Sequence, residues 1–281
     1  MISLSQLLTV FFRFGFTAAF FCFLLLSNQA RGASAVPVPI TQVVLDANGT
    51  EVIQNASGAG GLNALVSDLP TYLKTVTIND AGTTKVLGVY ATQDITLRDV
   101  SITGDQADKS YARNNGVSIS STSAGFNDAL KSVITSVDLR DYLADDSILT
   151  GPGGYSSGVL SITYDNYSMN NDDYLVIQER DGNSEFSVEV VDRLGNLIAG
   201  STTLDFVSGT MPWDTGYDAG SGVNSYDYQN QFIGVIKISD FGVDTDVTPI
   251  GGFRFTSENG ADAKILGASE DAFDLLKDYG D

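Results

Sequence analysis

Aspartate and asparagine residues cluster in one short segment of the chain. Four of them are Asp165, Asn170, Asp172 and Asp173. Calcium binds about six to eight oxygen ligands, and the carboxylates, amides and backbone carbonyls of a loop can supply them. The same residue types also form ordinary turns, because their side chains hydrogen-bond to nearby backbone groups. The segment therefore predicts either a turn or a structural calcium site, and no other cofactor is indicated.

The only tryptophan of the chain begins a segment that also contains three tyrosines and several carboxylates, and six residues of this segment are candidate ligands. These residues are Trp213, Asp214, Tyr217, Tyr226, Asp227 and Tyr228. Flat aromatic faces beside hydrogen-bonding acids are typical of a carbohydrate-binding platform. Aromatic rings that close one end of a β-sheet core produce the same composition. Both interpretations stay open at this stage.

The chain has no histidine and a single cysteine, Cys22. This composition excludes Ser-His-Asp and Cys-His catalysis and every metal site that needs a histidine ligand. A pair of carboxylates, as in glycoside hydrolases, is the remaining catalytic option. The nearest candidates are Glu179, Glu185 and Glu189, and their spacing does not single out one pair. We therefore expect a protein that is not an enzyme.

The amino-terminal residues have the organisation of a secretory signal. Arg13 precedes an apolar run, 14–26, and a polar stretch then leads to Ala33-Ser34-Ala35. A cationic start, a short apolar run and a small-x-small site are its three parts. We expect residues 1–35 to be removed and 36–281 to form the mature protein. It would then be secreted, periplasmic or attached to the cell surface, with no stable membrane insertion.

The mature protein would be strongly acidic. The full chain has a net charge of −20, and removal of the signal takes two arginines and no acid. The remaining 13 basic and 35 acidic residues give −22. Such a field repels nucleic acids and anionic lipid surfaces. Carbohydrate or extracellular matrix is therefore the expected partner.

Short apolar runs separated by Gly, Asn and Asp clusters predict a chain made mostly of strands. The clearest are 159–164, 174–179 and 186–190, with Asp181-Gly182 in the turn before the third. An Asp-Gly pair between alternating segments is a strong hairpin signal, so we expect these three strands to form a meander.

The predicted fold is all-β: a single jelly-roll-like β-sandwich with short helical decorations. Leu62 to Leu69 and the residues after Ser269 have the spacing of short helices. Segment 129–143 is ambiguous between helix and strand. Residues 151–154, Gly-Pro-Gly-Gly, are the best place for a division within the mature chain, although they suit a strand connection equally well.

The meander also carries a family resemblance. The run DYLVIQERDGNS, 173–184, continues into FSVEV and is followed by WDTGY, 213–217, and GFRFTS, 252–257. Together these resemble exported bacterial surface proteins of the exosortase-associated (PEP-CTERM) kind over residues 157–266. The resemblance implies a β-rich ectodomain and an exported location rather than an activity. The carboxyl-terminal sorting signal of that group is lacking here, so an anchored and a released protein are both expected alternatives.

These observations predict a secreted or surface-associated β-sandwich that is not an enzyme and that binds carbohydrate or contributes to the extracellular matrix. One alternative is a polysaccharide-acting hydrolase, which requires two carboxylates about 5 to 10 Å apart in a cleft. Another is a structural subunit of a surface polymer, which requires a strand edge free for pairing. An open Trp213 on a flat face would favour carbohydrate binding.

Overall fold

The computed structural model describes residues 32–58, 69–90, 95–103, 110–114, 117–120, 122–145, 157–165, 169–220, 228–257 and 263–269. In these ranges the strands are β1 (Ala33–Ser34), β2 (Ile40–Ala47), β3 (Thr50–Gln54), β4 (Thr71–Asp80), β5 (Thr83–Tyr90), β6 (Ile95–Thr103), β7 (Ser110–Asn114), β8 (Val117–Ser120), β9 (Tyr142–Asp145), β10 (Ser157–Tyr164), β11 (Tyr174–Arg180), β12 (Phe186–Val191), β13 (Leu204–Phe206), β14 (Trp213–Gly220), β15 (Tyr228–Lys237), β16 (Gly252–Ser257) and β17 (Lys264–Ser269). The helices are α1 (Phe126–Thr135) and a 3-10 helix (Ile238–Phe241).

The strands form three sheets. Their orders are β1-β13-β12-β16-β10-β6, β14-β15-β11-β17-β5-β4-β2-β3 and β8-β7-β9. Neighbouring strands are antiparallel, except that β1 runs parallel to β13. The predicted all-β, sandwich-like fold is confirmed, whereas a jelly-roll connectivity is not established. Across the described ranges, no helix is both long and apolar enough to span a membrane.

The three strands of the predicted meander are present, but the expected hairpin pairing is wrong. Strands β10 and β12 belong to the six-stranded sheet, and β11 belongs to the eight-stranded sheet. Asp181 and Gly182 do adopt the positive φ angles of a tight turn, 72° and 66°. Residues 183–185 then add an extended link before β12 begins. The turn therefore carries the chain from one sheet to the other instead of joining neighbouring strands.

Strand β11 is the shared wall of two hydrophobic cores. All seven of its residues are buried. Leu175 and Ile177 pack in the first core, which includes much of the six-stranded sheet. Tyr174 and Val176 pack in the second core, on the opposite face. Side chains alternate along a strand, so the unbroken apolar run of β11 reflects burial on both faces.

The eight-stranded sheet rolls around the second core until its two edge strands meet. Trp213 Nε1 on β14 donates to Gln54 Oε1 on β3 at 3.3 Å. Just beyond β3, Gly58 N donates to Asp214 O at 2.9 Å, and Asp214 N donates to Ser57 Oγ at 2.9 Å. The last two bonds occupy the backbone N–H and C=O of Asp214, which an open edge would leave unpaired.

The segment after α1 resolves the ambiguity of residues 129–143. The helix ends at Thr135, and the chain then runs beside the start of β4. Leu73 N donates to Val137 O at 3.0 Å, and Leu139 N donates to Thr71 O at 2.8 Å. Segment 136–141 therefore adds a short extended stretch to the end of the rolled sheet before β9 begins.

Residues that the sequence analysis placed in the signal also take part in the fold. Ala33 and Ser34 form β1 on the edge of the six-stranded sheet, and Ala35 is buried in the first core. Residues 1–31, most of the predicted 62–69 helix, segment 151–154 and the chain after Ser269 lie outside the described residues.

Candidate functional site

The acidic segment predicted as a calcium site uses its buried carboxylate to close a turn. Asp173 Oδ2 accepts a hydrogen bond from Asn170 N at 2.7 Å. Asp165, which is exposed, accepts from Thr96 Oγ1 on β6 at 2.7 Å. Asn170 and Asp172 are also exposed. Asp165 and Asp173 therefore contact different structural elements.

The fold brings this segment next to a second acidic turn that lies far away in the sequence. Asn171 N donates to Thr245 Oγ1 at 3.1 Å, and Asp244 Oδ1 accepts from Asp246 N at 3.1 Å. Within the described part of the chain, no three His, Cys, Asp or Glu residues are grouped so that they could hold a metal. Residues 166–168 of the segment are outside that part. A calcium site here stays a prediction.

The aromatic segment predicted as a sugar platform contributes its first two rings to the second core. Trp213 is 4% exposed and Tyr217 is 2% exposed. Tyr217 OH donates to Leu69 O at 3.0 Å, next to the start of β4. A stacking platform requires an accessible ring face, which neither residue presents.

Of the remaining predicted ligand residues of this segment, the structure describes the side chain of Asp214. Asp214 accepts from Gly216 N at 2.7 Å and from Asn230 Nδ2 at 3.0 Å, so its carboxylate closes the β14 bulge. Tyr226, Asp227 and the side chain of Tyr228 lie outside the described part of the structure. Carbohydrate binding by these residues stays a prediction.

The candidate catalytic glutamates face different environments. Glu179 is buried on β11, on the face that meets the first core, where it lies opposite Phe232. Glu189 lies on β12, on the outward face opposite Arg254, and it accepts from Thr203 Oγ1 at 3.2 Å. Glu185 is exposed in the link before β12. Glu179 and Glu189 therefore do not line one cleft.

Sequence reasoning missed a set of buried polar side chains at one end of the rolled sheet. Gln178 and Gln231 are both fully buried in the second core. Gln178 Nε2 donates to Gln231 Oε1 at 2.7 Å and to Leu139 O at 3.2 Å. Thr215 Oγ1 donates to Gln231 O at 2.7 Å. The amides thus connect β11, β15 and β14 with segment 136–141.

A buried lysine completes this polar end. Lys264 lies beside Gln178 on the neighbouring strand β17 and is 1% exposed. Its Nζ donates to Asp138 O at 2.9 Å and to Ser136 O at 3.1 Å. Burial lowers the pKa of Lys264 to about 8, and the carboxylates of Asp141 and Asp138 oppose this shift only in part.

Asp138 fastens segment 136–141 to the end of the rolled sheet. Its carboxylate accepts from Thr71 N at 3.2 Å and from Arg140 N at 3.0 Å. It also forms an ion pair with the Arg140 guanidinium at 2.7 Å, where both side chains are largely buried. These bonds close the end of the second core. One sequence signal could have indicated this buried polar end. It is the position of Lys264 inside an apolar run, Ala263-Lys264-Ile265-Leu266.

A second polar group lies at the opposite end of the rolled sheet, where β4 and β15 end and β5 and β11 begin. Tyr174 OH donates to Asp80 Oδ2 at 2.6 Å, and Lys237 Nζ donates to the same oxygen at 3.2 Å. Lys85 Nζ lies 5.2 Å from the centre of the Tyr174 ring. The hydrogen bond from Tyr174, followed by that from Lys237, lowers the pKa of Asp80.

Comparison with known proteins adds no assignment. No protein-family model, no curated protein and no solved structure matches this chain.

Proposed function

We propose that this protein is an exported β module that is not an enzyme and that acts through its outer surface, in the extracellular matrix or at the cell surface. The proposal rests on the observation that side chains of the protein itself fill the second core. Trp213 and Tyr217 fill it, and the buried amide of Gln178 donates to Gln231 and to Leu139 O of segment 136–141. The side chains of this core therefore stabilise the fold. A partner would then be recognised by the outer surface of the protein.

The charge of the chain supports an extracellular matrix or carbohydrate partner. The net charge of −20 disfavours nucleic acid and anionic membranes as partners. An acidic surface of this kind is compatible with the binding of hydrated polysaccharides and multivalent cations. The resemblance to exported bacterial surface proteins favours the same location.

The edges of the eight-stranded sheet and the pairing of β13 favour a separate module over a polymer subunit. Hydrogen bonds between β3 and β14 occupy both edges of the eight-stranded sheet at this point, and β1 covers β13. An edge strand becomes a site of self-association when its backbone groups are unpaired and accessible. Polymerisation through any of these three strands would first require the existing contacts to break.

The decisive experiment follows the full chain in a bacterial secretion host. We expect the processed protein in the medium, the periplasm or the surface fraction. The purified product should then be tested on a glycan array and on isolated extracellular matrix, with calcium and with a chelator. Retention of unprocessed chain in the cytoplasm would refute export.

The binding measurements distinguish a carbohydrate partner from a matrix protein. Selective glycan signals would identify carbohydrate as the partner, and retention on whole matrix without a glycan signal would identify a matrix protein. A matched variant, Asp172→Asn with Asp246→Asn, removes two exposed charges from the adjoining acidic turns. Loss of calcium-dependent binding in this variant alone would locate the cation there. Rapid hydrolysis of a polysaccharide by the purified protein would contradict the assignment as a non-enzyme.

A further inference from the structure

We propose that the export signal is removed between Gly32 and Ala33, so that the mature protein begins at Ala33. This inference rests on the proposed export of the protein. It concerns a processing site and identifies the residues that must survive processing for the fold to be complete. Its basis is the place of residues 33–38 in the two main sheets.

Residues 33–35 are held by two kinds of contact. Ala33 N donates to Thr203 O at 2.9 Å, and Ala35 N donates to Asp205 O at 2.8 Å, which makes β1 the edge strand beside β13. The side chain of Ala35 is 7% exposed and packs in the first core. A backbone that is paired and carries a buried side chain is part of the folded domain.

The next residues continue the connection into the second sheet. Val38 N donates to Val235 O on β15 at 2.7 Å, and Asn79 N at the end of β4 donates to Pro39 O at 2.9 Å. The segment therefore ties β13 in one sheet to β15 and β4 in the other. Ala33 is likewise the first residue of the larger of the two compact units of the chain, Ala33–Asp281.

A cut after Ala35 would remove β1 and its contacts. Thr203 O and Asp205 O, both on partly buried residues, would lose their backbone donors. The first core would lose the Ala35 methyl group, and β13 would replace β1 as the edge strand of the six-stranded sheet. The new amino terminus would be Val36, which is 79% exposed.

A second processing site lies three residues upstream and avoids this loss. Ala30-Arg31-Gly32 places small residues at the third and first positions before the cut, as Ala33-Ser34-Ala35 does. Cleavage after Gly32 leaves β1 intact. The new ammonium group at Ala33 can donate to Thr203 O, as the backbone N–H does. Thr203 Oγ1 also donates to Glu189 Oε1 at 3.2 Å, which brings a carboxylate to the same residue.

Two single substitutions distinguish the two sites in the full chain during secretion. Gly32→Leu places a large residue directly before the proposed cut. Ala33→Leu disables only the downstream site, because position 33 is the third residue before a cut at Ala35 and the first residue after a cut at Gly32. The Ala33 side chain is exposed, so a leucine there is compatible with the fold.

The amino terminus of each product is read by Edman sequencing and intact mass. We expect the wild-type and Ala33→Leu proteins to begin at position 33, and Gly32→Leu to accumulate as precursor or to begin at Val36. A wild-type product that is exported but begins at any other residue overturns this inference and leaves the proposed function standing. Uncleaved chain in the cytoplasm overturns both.

Thermal melting of two purified forms tests the structural premise separately. The form that begins at Val36 should melt several degrees below the form that begins at Ala33, because it lacks β1 and the buried Ala35 side chain. Equal melting temperatures would show that β1 does not contribute to the folded domain and would overturn the inference.

Discussion

Raising the pH from about 7 to about 9.5 should stabilise this protein, because the buried amine of Lys264 loses its proton more readily in the folded state. Burial lowers the pKa of Lys264 from 10.5 to about 8. Between these two values the unfolded chain binds a proton that the folded chain has released. The free energy of unfolding therefore rises with pH across this window. Below the folded pKa, the cost of burying the ammonium is fully present.

The magnitude follows from the two pKa values. The full difference between 10.5 and about 8 corresponds to roughly 3 kcal/mol. Since part of the folded population is already neutral at the start and part of the unfolded population is still charged at the end, about 2 kcal/mol should be recovered between pH ~7 and ~9.5. The carboxylates of Asp138 and Asp141 act on this ammonium and oppose the effect of burial on its pKa.

Urea unfolding at a series of pH values measures this effect, with the fluorescence of Trp213 as the probe. Trp213 is the only tryptophan and is buried in the same core. The series stops at about pH 9.5 because burial raises the pKa of Tyr164 and so disfavours its ionised form in the folded state. Tyrosines and exposed lysines titrate above this limit.

Two variants at position 264 are the controls. Lys264→Met keeps an unbranched stem without a titrating group, so its stability should be nearly independent of pH in this window. Lys264→Arg stays ionised throughout and should also lack the rise. A wild-type stability that is flat or falls with pH would refute the reasoning, as would a rise that persists in either variant.

Four further substitutions test how the fold is held. Gly252→Ala places a methyl group against the backbone of β10 and should cost about 3 kcal/mol or more in urea unfolding. Gly158→Ala meets only one backbone oxygen, at 3.9 Å, and should stay within about 1 kcal/mol of wild type. Tyr174→Phe removes the bond to Asp80 and should cost about 1 kcal/mol at neutral pH. This deficit should shrink as the pH falls through the lowered pKa of Asp80, and a constant deficit would contradict the assignment. Asp138→Asn removes the carboxylate that pairs with the largely buried guanidinium of Arg140 and should cost about 3 kcal/mol, and an unchanged midpoint would show that segment 136–141 is not held by this pair.

The sequence predicted the local backbone well because its signals act over a few residues. Alternation of apolar and polar side chains located β10 and β12, and the Asp181-Gly182 pair located a turn with two positive φ angles. The unbroken apolar run from Tyr174 to Ile177 located β11. These features depend on side-chain direction and on the sterics of single residues, which neighbours far along the chain do not alter.

The functional interpretation of Trp213 could not be decided from its neighbours. An exposed platform and a buried plug have the same composition, and they differ only in what covers the ring. Its cover includes β3, through Gln54, which lies more than 150 residues earlier in the chain. Trp213 therefore belongs to the core because β3 and β14, the two edge strands of the sheet, contact each other.

From the sequence alone, the protein is acidic, lacks histidine and is built of short strands, which excludes the chemistry that needs imidazole. Only the tertiary structure decided that β11 separates two cores, that Lys264 is buried beneath segment 136–141 and that Ala33 to Ala35 complete a sheet. The physical reason is the range of the interactions. Strand formation reflects local side-chain patterns, whereas sheet membership and burial depend on contacts between residues far apart in the sequence.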